Sequence, residues 1–123
     1  MTQKKILLVD DSTTMIMMER VALSSGGYQL FAARDGEEAL ETARDQRPDL
    51  ILLDVVMPKM DGFEVCRRLR AEGPTRNIPI IIVSTRGEEG NIEKGFDSGC
   101  TDYVLKPLNG VELLTRVRSL LGD

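Results

Sequence analysis

Three apolar runs constrain this chain more than any other feature: Ile6-Leu7-Leu8-Val9, Leu50-Ile51-Leu52-Leu53 and Ile80-Ile81-Ile82-Val83. Each is strand-length and lacks polar residues at alternate positions. Such runs suit strands covered on both faces, as in parallel sheets with helices on either side. Two of them run straight into acids. Val9 leads into Asp10-Asp11 and Leu53 into Asp54, and the turn residue Pro58 lies close behind. In a parallel sheet those strand ends share one edge, so three carboxylates converge. Two such charges about 4 Å apart repel by roughly 4 kcal/mol at an effective dielectric near 20. The cluster must therefore take up protons, bind a cation or do chemistry.

Strands are expected over 5–10, 29–33, 49–54, 79–84 and 102–105, the second being weak enough for a sheet edge. Helix signals fill the gaps. The stretch Ser12-Thr13-Thr14 caps a helix to Ser24, with Met15, Met18, Val21 and Ala22 as its core stripe. Ile16 and Met17 fall off that stripe and face outward, toward a partner. Asp35 caps a helix to Arg44, with Glu37 and Glu38 favourable at its positive end. Asp61 opens another to Glu72, with Phe63, Val65, Cys66 and Leu69 inward. The segment 88–98 is the poorest helix, because Gly87, Gly90 and Gly95 each weaken it by about 1 kcal/mol relative to alanine. Asn109 caps the last helix, with Val111, Leu113, Leu114, Val117, Leu120 and Leu121 apolar. Alternation of this kind implies an α/β, doubly wound parallel sheet with right-handed crossovers. Ligands in such folds bind beyond the carboxyl ends of the strands, where Asp10, Asp11, Asp54, Ser84 and Lys106 all fall.

The 123 residues suit one domain, expected over 1–123. No apolar run approaches the ~20 residues of a membrane helix, and no signal peptide opens the chain. A cytoplasmic protein with no membrane contact is expected. The net charge of −4 argues against nucleic-acid binding. Arg67, Arg68 and Arg70 read as a solvated helix face. Cys66 and Cys100 read as reduced, buried thiols. The chain has no histidine, which removes the usual general base and the usual transition-metal ligand.

Magnesium takes hard oxygen ligands and keeps several waters. Asp11 and Asp54 can each offer a carboxylate oxygen, Asp10 can hold a metal-bound water, and a backbone carbonyl just after Asp54 can complete the set. Manganese can substitute. A carboxylate such as Asp54, fixed at a strand end, can act as a nucleophile and carry a phosphoryl group. Phosphoryl transfer asks mainly for positioning and charge neutralisation, which the metal, Lys106 and the Ser84 hydroxyl would supply.

These residues resemble those of the receiver domain of bacterial response regulators, the partners of histidine kinases in two-component signalling. The match includes Asp10-Asp11, Asp54 within the segment from Leu53 to Gly62, Ser84, and Lys106-Pro107, in order and at the family's spacings. The resemblance implies a flavodoxin-like five-stranded sheet of order 2-1-3-4-5 with five helices, and a cis peptide before Pro107. It implies that Asp54 is the phosphoacceptor and that Tyr103 is an aromatic switch. In the family that ring turns inward as the hydroxyl at Ser84 moves to the phosphoryl group. Read from the residues alone, Tyr103 is a half-buried edge aromatic.

The implied partners are a histidine kinase or phosphotransfer protein, docking on the first helix near Met15 and Met18. A downstream protein would be met through the face of the fourth helix, fifth strand and fifth helix. A monomer or a weak phosphorylation-dependent dimer is expected, either complete or cut from a longer regulator or hybrid kinase. No catalytic turnover is expected beyond self-phosphorylation and slow autodephosphorylation. Val56, Thr85 and Arg86 depart from the commonest pattern. Val56 cannot orient an attacking water, Thr85 adds bulk beside the site and Arg86 adds a charge at its rim, so all three are candidates for tuning phosphate lifetime.

Other functions fit less well. A haloacid-dehalogenase-type phosphatase wants a second aspartate two residues after its nucleophile, where Val56 stands. Flavin binding wants a Gly-rich phosphate loop after the first strand, and none is present. A receiver-fold module that signals without phosphate is an alternative, but it leaves the full acid, hydroxyl and lysine set without a use.

Overall fold

The computed structural model describes residues 3–122; Met1, Thr2 and Asp123, at the ends of the expected unit, lie outside it. Five parallel strands form one sheet among the described residues: β1 (Lys5–Val9), β2 (Gln29–Ala33), β3 (Leu50–Leu53), β4 (Ile80–Ser84) and β5 (Asp102–Leu105). Their order is 2-1-3-4-5, so the expected flavodoxin-like arrangement is present and β2 is an edge. Five helices connect them: α1 (Thr13–Leu23), α2 (Gly36–Gln46), α3 (Gly62–Ala71), α4 (Glu89–Ser98) and α5 (Gly110–Leu121). The strands end slightly before the expected bounds. Asp10 and Asp54 stand just past β1 and β3, with their amides still bonded to Ala33 O and Val9 O.

Side chains alternate across a strand, which splits the core in two. Leu7, Val9, Ile51, Leu53, Ile80 and Ile82 face α2, α3 and α4, meeting Ala39, Leu40, Phe63, Val65, Cys66 and Leu69. Ile6, Leu8, Leu50, Leu52, Ile81, Val83 and Val104 face α1 and α5, meeting Ile16, Leu23, Leu113 and Val117. Each large side chain buried in this way contributes roughly 1.5–3 kcal/mol against the entropy of ordering the chain.

Four helices start as expected. Ser12, Asp35, Asp61 and Asn109 accept hydrogen bonds from the amides of Met15, Glu38, Glu64 and Glu112. Such a cap is worth about 1 kcal/mol. Glu88, before α4, makes no side-chain cap. Gly62 lets α3 begin directly on the chain after β3, since a Cβ there would lie 2.2 Å from the Asp54 carbonyl oxygen.

Three expectations need correction. On α1 the inward residues are Ile16, Glu19 and Leu23, whereas Met18 and Val21 are exposed. The run Met15-Ile16-Met17-Met18 is apolar at every position, so its stripe has no readable phase, and the sheet chose another one. Val111 on α5 is also exposed, because Leu113 and Val117 take the inward positions. Arg70 does not belong to a solvated face. It donates to the carbonyls of Gly99, Arg76 and Ile78 and ties α3 to the flanks of β4 and β5. Arg67 and Arg68 are exposed and pair with Glu64 on their own helix. The thiols of Cys66 and Cys100 are free and buried, and burial pushes both up, Cys100 to about 12.

Candidate functional site

The sheet brings Asp10, Asp11 and Asp54 together as the alternation of strands and helices predicts. One carboxylate oxygen from each lies within 4.8 Å of the others. Asp10 and Asp54 are buried and Asp11 is exposed at the rim. Asp10 is fixed at both ends: its Oδ1 accepts from the Ser12 amide at 2.9 Å and its Oδ2 from Lys106. The helix that Ser12 caps is thereby anchored to the acid pair.

Lys106 follows β5, and its amide still bonds to Ser84 O, which aims the side chain back over the sheet edge. Its Nζ lies 3.3 Å from Asp10 Oδ2 and 3.2 Å from Asp54 Oδ1. Burial works against the ammonium, but Asp54 and Asp10 outweigh it and hold its pKa above the ordinary lysine value. For Asp54 the balance goes the other way. Burial raises its pKa and Asp10 raises it further, and Lys106 only partly offsets both. One ammonium against three carboxylates leaves a negative excess at a site open on the Asp11 side. Hard oxygen donors in excess negative charge suit a magnesium or manganese ion. Asp10, Asp11 and Asp54 together form the acidic pocket that such an ion would fit.

Ser84 ends β4 and is fully buried. Its Oγ accepts from the Arg86 amide at 3.1 Å, while the Tyr103 hydroxyl donates to the Arg86 carbonyl at 2.7 Å. The backbone of Arg86 is thus held between these two side chains. The Tyr103 ring is inward and nearly covered, not the half-buried edge aromatic expected from the residues alone. Gly95 on α4 makes its room, since a Cβ there would meet Tyr103 Cδ2 at 2.8 Å. The Lys106–Pro107 peptide is cis. Val56 and Thr85 are exposed, and Val56 shares a cavity of about 270 Å³ with Arg86, Asn91 and Lys94 beside the acids.

The sequence reading missed one residue of this neighbourhood. Glu19 lies on the inner face of α1, buried, with one carboxyl oxygen unpaired. An acid within an apolar helical stretch normally marks the solvated face, so only the observed phase of α1 identifies it.

Comparison with known proteins follows the same line. Residues 6–118 match the family model described as the response regulator receiver domain. The alkaline phosphatase synthesis transcriptional regulatory protein PhoP of Bacillus subtilis is 41% identical over 118 residues, covering 96% of this chain and 48% of that protein. The chain spans about half the length of the first curated relatives it matches. Among solved structures, the chemotaxis protein CheY4 of Vibrio cholerae superposes with a TM-score of 0.91 at 34% identity, over 97% of this chain and 99% of that one. The receiver domain of the sensor histidine kinase PA1611 of Pseudomonas aeruginosa has a TM-score of 0.90 at 32% identity, over 99% of this chain and 100% of that one; that structure has a magnesium ion coordinated in its active site cleft.

Proposed function

The chain belongs to the response regulator receiver domain family of two-component systems, and on that premise we propose that Asp54 accepts a phosphoryl group from a phosphohistidine. The observation that carries this reading is the position of Asp54. It is a buried carboxylate at the end of a central strand, 3.2 Å from the Lys106 ammonium and grouped with two further acids. An oxygen of Asp54 attacks the phosphorus, the P–N bond breaks, and its electron pair returns to the imidazole of the donor. Magnesium, when held by Asp11, Asp54 and the Val56 carbonyl with Asp10 behind a water, supplies two positive charges to the phosphoryl oxygens. Lys106 leaves Asp10 for the phosphoryl group, and Ser84 donates to one of its oxygens. Freed from Ser84, the Arg86 backbone and the Tyr103 hydroxyl bonded to it rearrange together, which passes the change to α4 and β5.

The donor, a kinase or phosphotransfer protein, docks where α1 meets the segment after β5. An apolar groove of about 420 Å³ lies there, lined by Thr14, Met17, Met18, Val21, Leu108 and Gly110. A downstream protein reads the α4–β5–α5 face, where Phe96, Leu105 and Val111 are exposed. The proposed setting is the cytoplasm, and the chain is modified once rather than turning over substrate. Relatives such as PhoP are transcriptional regulators by name, so the acidic charge of this chain speaks only for this chain.

Phosphotransfer from labelled histidine kinases of the source organism tests the reading. The wild type takes up label with magnesium present and Asp54→Asn takes up none. Label persisting on Asp54→Asn overturns the assignment.

A further inference from the structure

Glu19 has no part in the reading above, yet its position asks for one. It is 2% exposed, between Ile16 and Leu23 on the inner face of α1. Its Oε1 is buried with no hydrogen-bond partner. An unpaired buried polar group destabilises a fold, so a leucine here would serve packing better. Asp10, Asp54 and Lys106 continue the alternation of Leu8, Leu52 and Val104, so they emerge on the side of the sheet that α1 and α5 cover. Those three groups are the charges that act on Glu19. Among the other residues packed on that side, Val83 from β4 and Leu113 and Val117 from α5 carry no charge, and Tyr28 brings a phenol. Burial raises the Glu19 pKa most, Asp10 raises it further and Lys106 opposes, leaving it at about 8. Burial without a partner thus favours the protonated, neutral form of Glu19.

We propose that Glu19 is a positioning residue of the cation site, a buried carboxyl near Asp10 that releases its proton when a divalent cation joins Asp10, Asp11 and Asp54. The inference rests on reading those three aspartates as the set that holds the cation. The balance is one ion in and one proton out: the Glu19 O–H bond breaks, its electron pair stays on the carboxylate, and the proton passes to buffer. Without the ion, another negative charge beside Asp10 and Asp54 is repelled. With two added positive charges that repulsion falls. Ion affinity therefore climbs with pH below about 8, by as much as about tenfold per pH unit, where binding expels the proton. Above that pH the proton has already gone and the affinity levels off.

Calorimetric titration of magnesium into the protein tests this, run near pH 7 in two buffers of different ionisation enthalpy, for wild type and Glu19→Gln. Wild type releases more protons per ion than Glu19→Gln, and the rise in its affinity with pH is flattened in the variant. Any contribution from Asp54 is common to both proteins. A second measurement needs no variant: the ¹³C titration of the Glu19 carboxyl in the wild type moves to lower pH when magnesium saturates the site. Equal proton release by the two proteins, or a Glu19 titration that magnesium leaves unmoved, overturns the proposal while leaving the cation site intact. Absence of magnesium binding to the wild type removes the cation site itself, and this proposal with it.

Discussion

Three side chains at the sheet edge were legible because their meaning is local. Asp10, Asp11 and Asp54 each end an apolar run, and parallel strands bring such ends together. Lys106 was legible as a charge near that edge, but its bonds to Asp10 and Asp54 depend on how the chain after β5 turns back. Glu19 was not legible, because its burial depends on the phase of α1. It also makes a distinct prediction for stability. Its folded-state pKa of about 8 lies above its ordinary value of 4.5, so the folded protein keeps a proton that the unfolded chain gives up. Stability from this group is complete at pH below 4.5 and declines as pH rises through 8. In magnesium-free buffer, Glu19→Gln should narrow the difference in Tm between pH 5 and pH 8 by several degrees, as measured by thermal melts. An unchanged difference would mean that Glu19 is ionised in the fold. Val56 supports a kinetic prediction at the same scale. Its side chain is exposed beside the acids and offers no hydrogen bond to water. Val56→Asn should speed loss of phosphate from phospho-Asp54 several-fold; an unaltered decay rate would remove Val56 from control of lifetime.

Among the elements, β1, β3 and β4 were read with little error, since a strand buried on both faces is its own signature. Helix starts were also legible through Ser12, Asp35, Asp61 and Asn109, whose side chains cap in the structure as expected. The phase of α1 was lost because four consecutive apolar residues fit any face. The burial of Tyr103 was lost because β5 is an edge strand and its cover depends on how α4 packs back over it, with Gly95 leaving room for the ring. The weakness read into α4 is open to a direct test. It has no side-chain cap, and Gly90 sits in its first turn with open space where a Cβ would be. Gly90→Ala should therefore stabilise α4 by about 1 kcal/mol without a clash. Amide exchange across residues 89–98 should slow by roughly fivefold in that variant. Equal exchange rates would show that α4 opens only with the whole fold.

At the scale of the whole molecule, the two halves of the core divide the work. The layer of α1 and α5 carries the acids, Lys106, Glu19 and the apolar groove. The layer of α2, α3 and α4 holds Tyr103, packed against Gly95. The backbone of Arg86 donates to Ser84, at the edge that carries the acids, and accepts from the Tyr103 hydroxyl on β5. No helix among the described residues is long and apolar enough to cross a membrane. All of this depends on crowded carboxylates being arranged for a divalent ion and a phosphoryl group, with Lys106 as the movable charge. The direct measurement is a crystal structure with magnesium and beryllofluoride. The account predicts the ion on Asp11, Asp54 and the Val56 carbonyl, beryllofluoride on Asp54, and Lys106 moved from Asp10 to the fluoride. An ion bound elsewhere, or Lys106 still bridging Asp10 and Asp54 beside an unmodified Asp54, would contradict it.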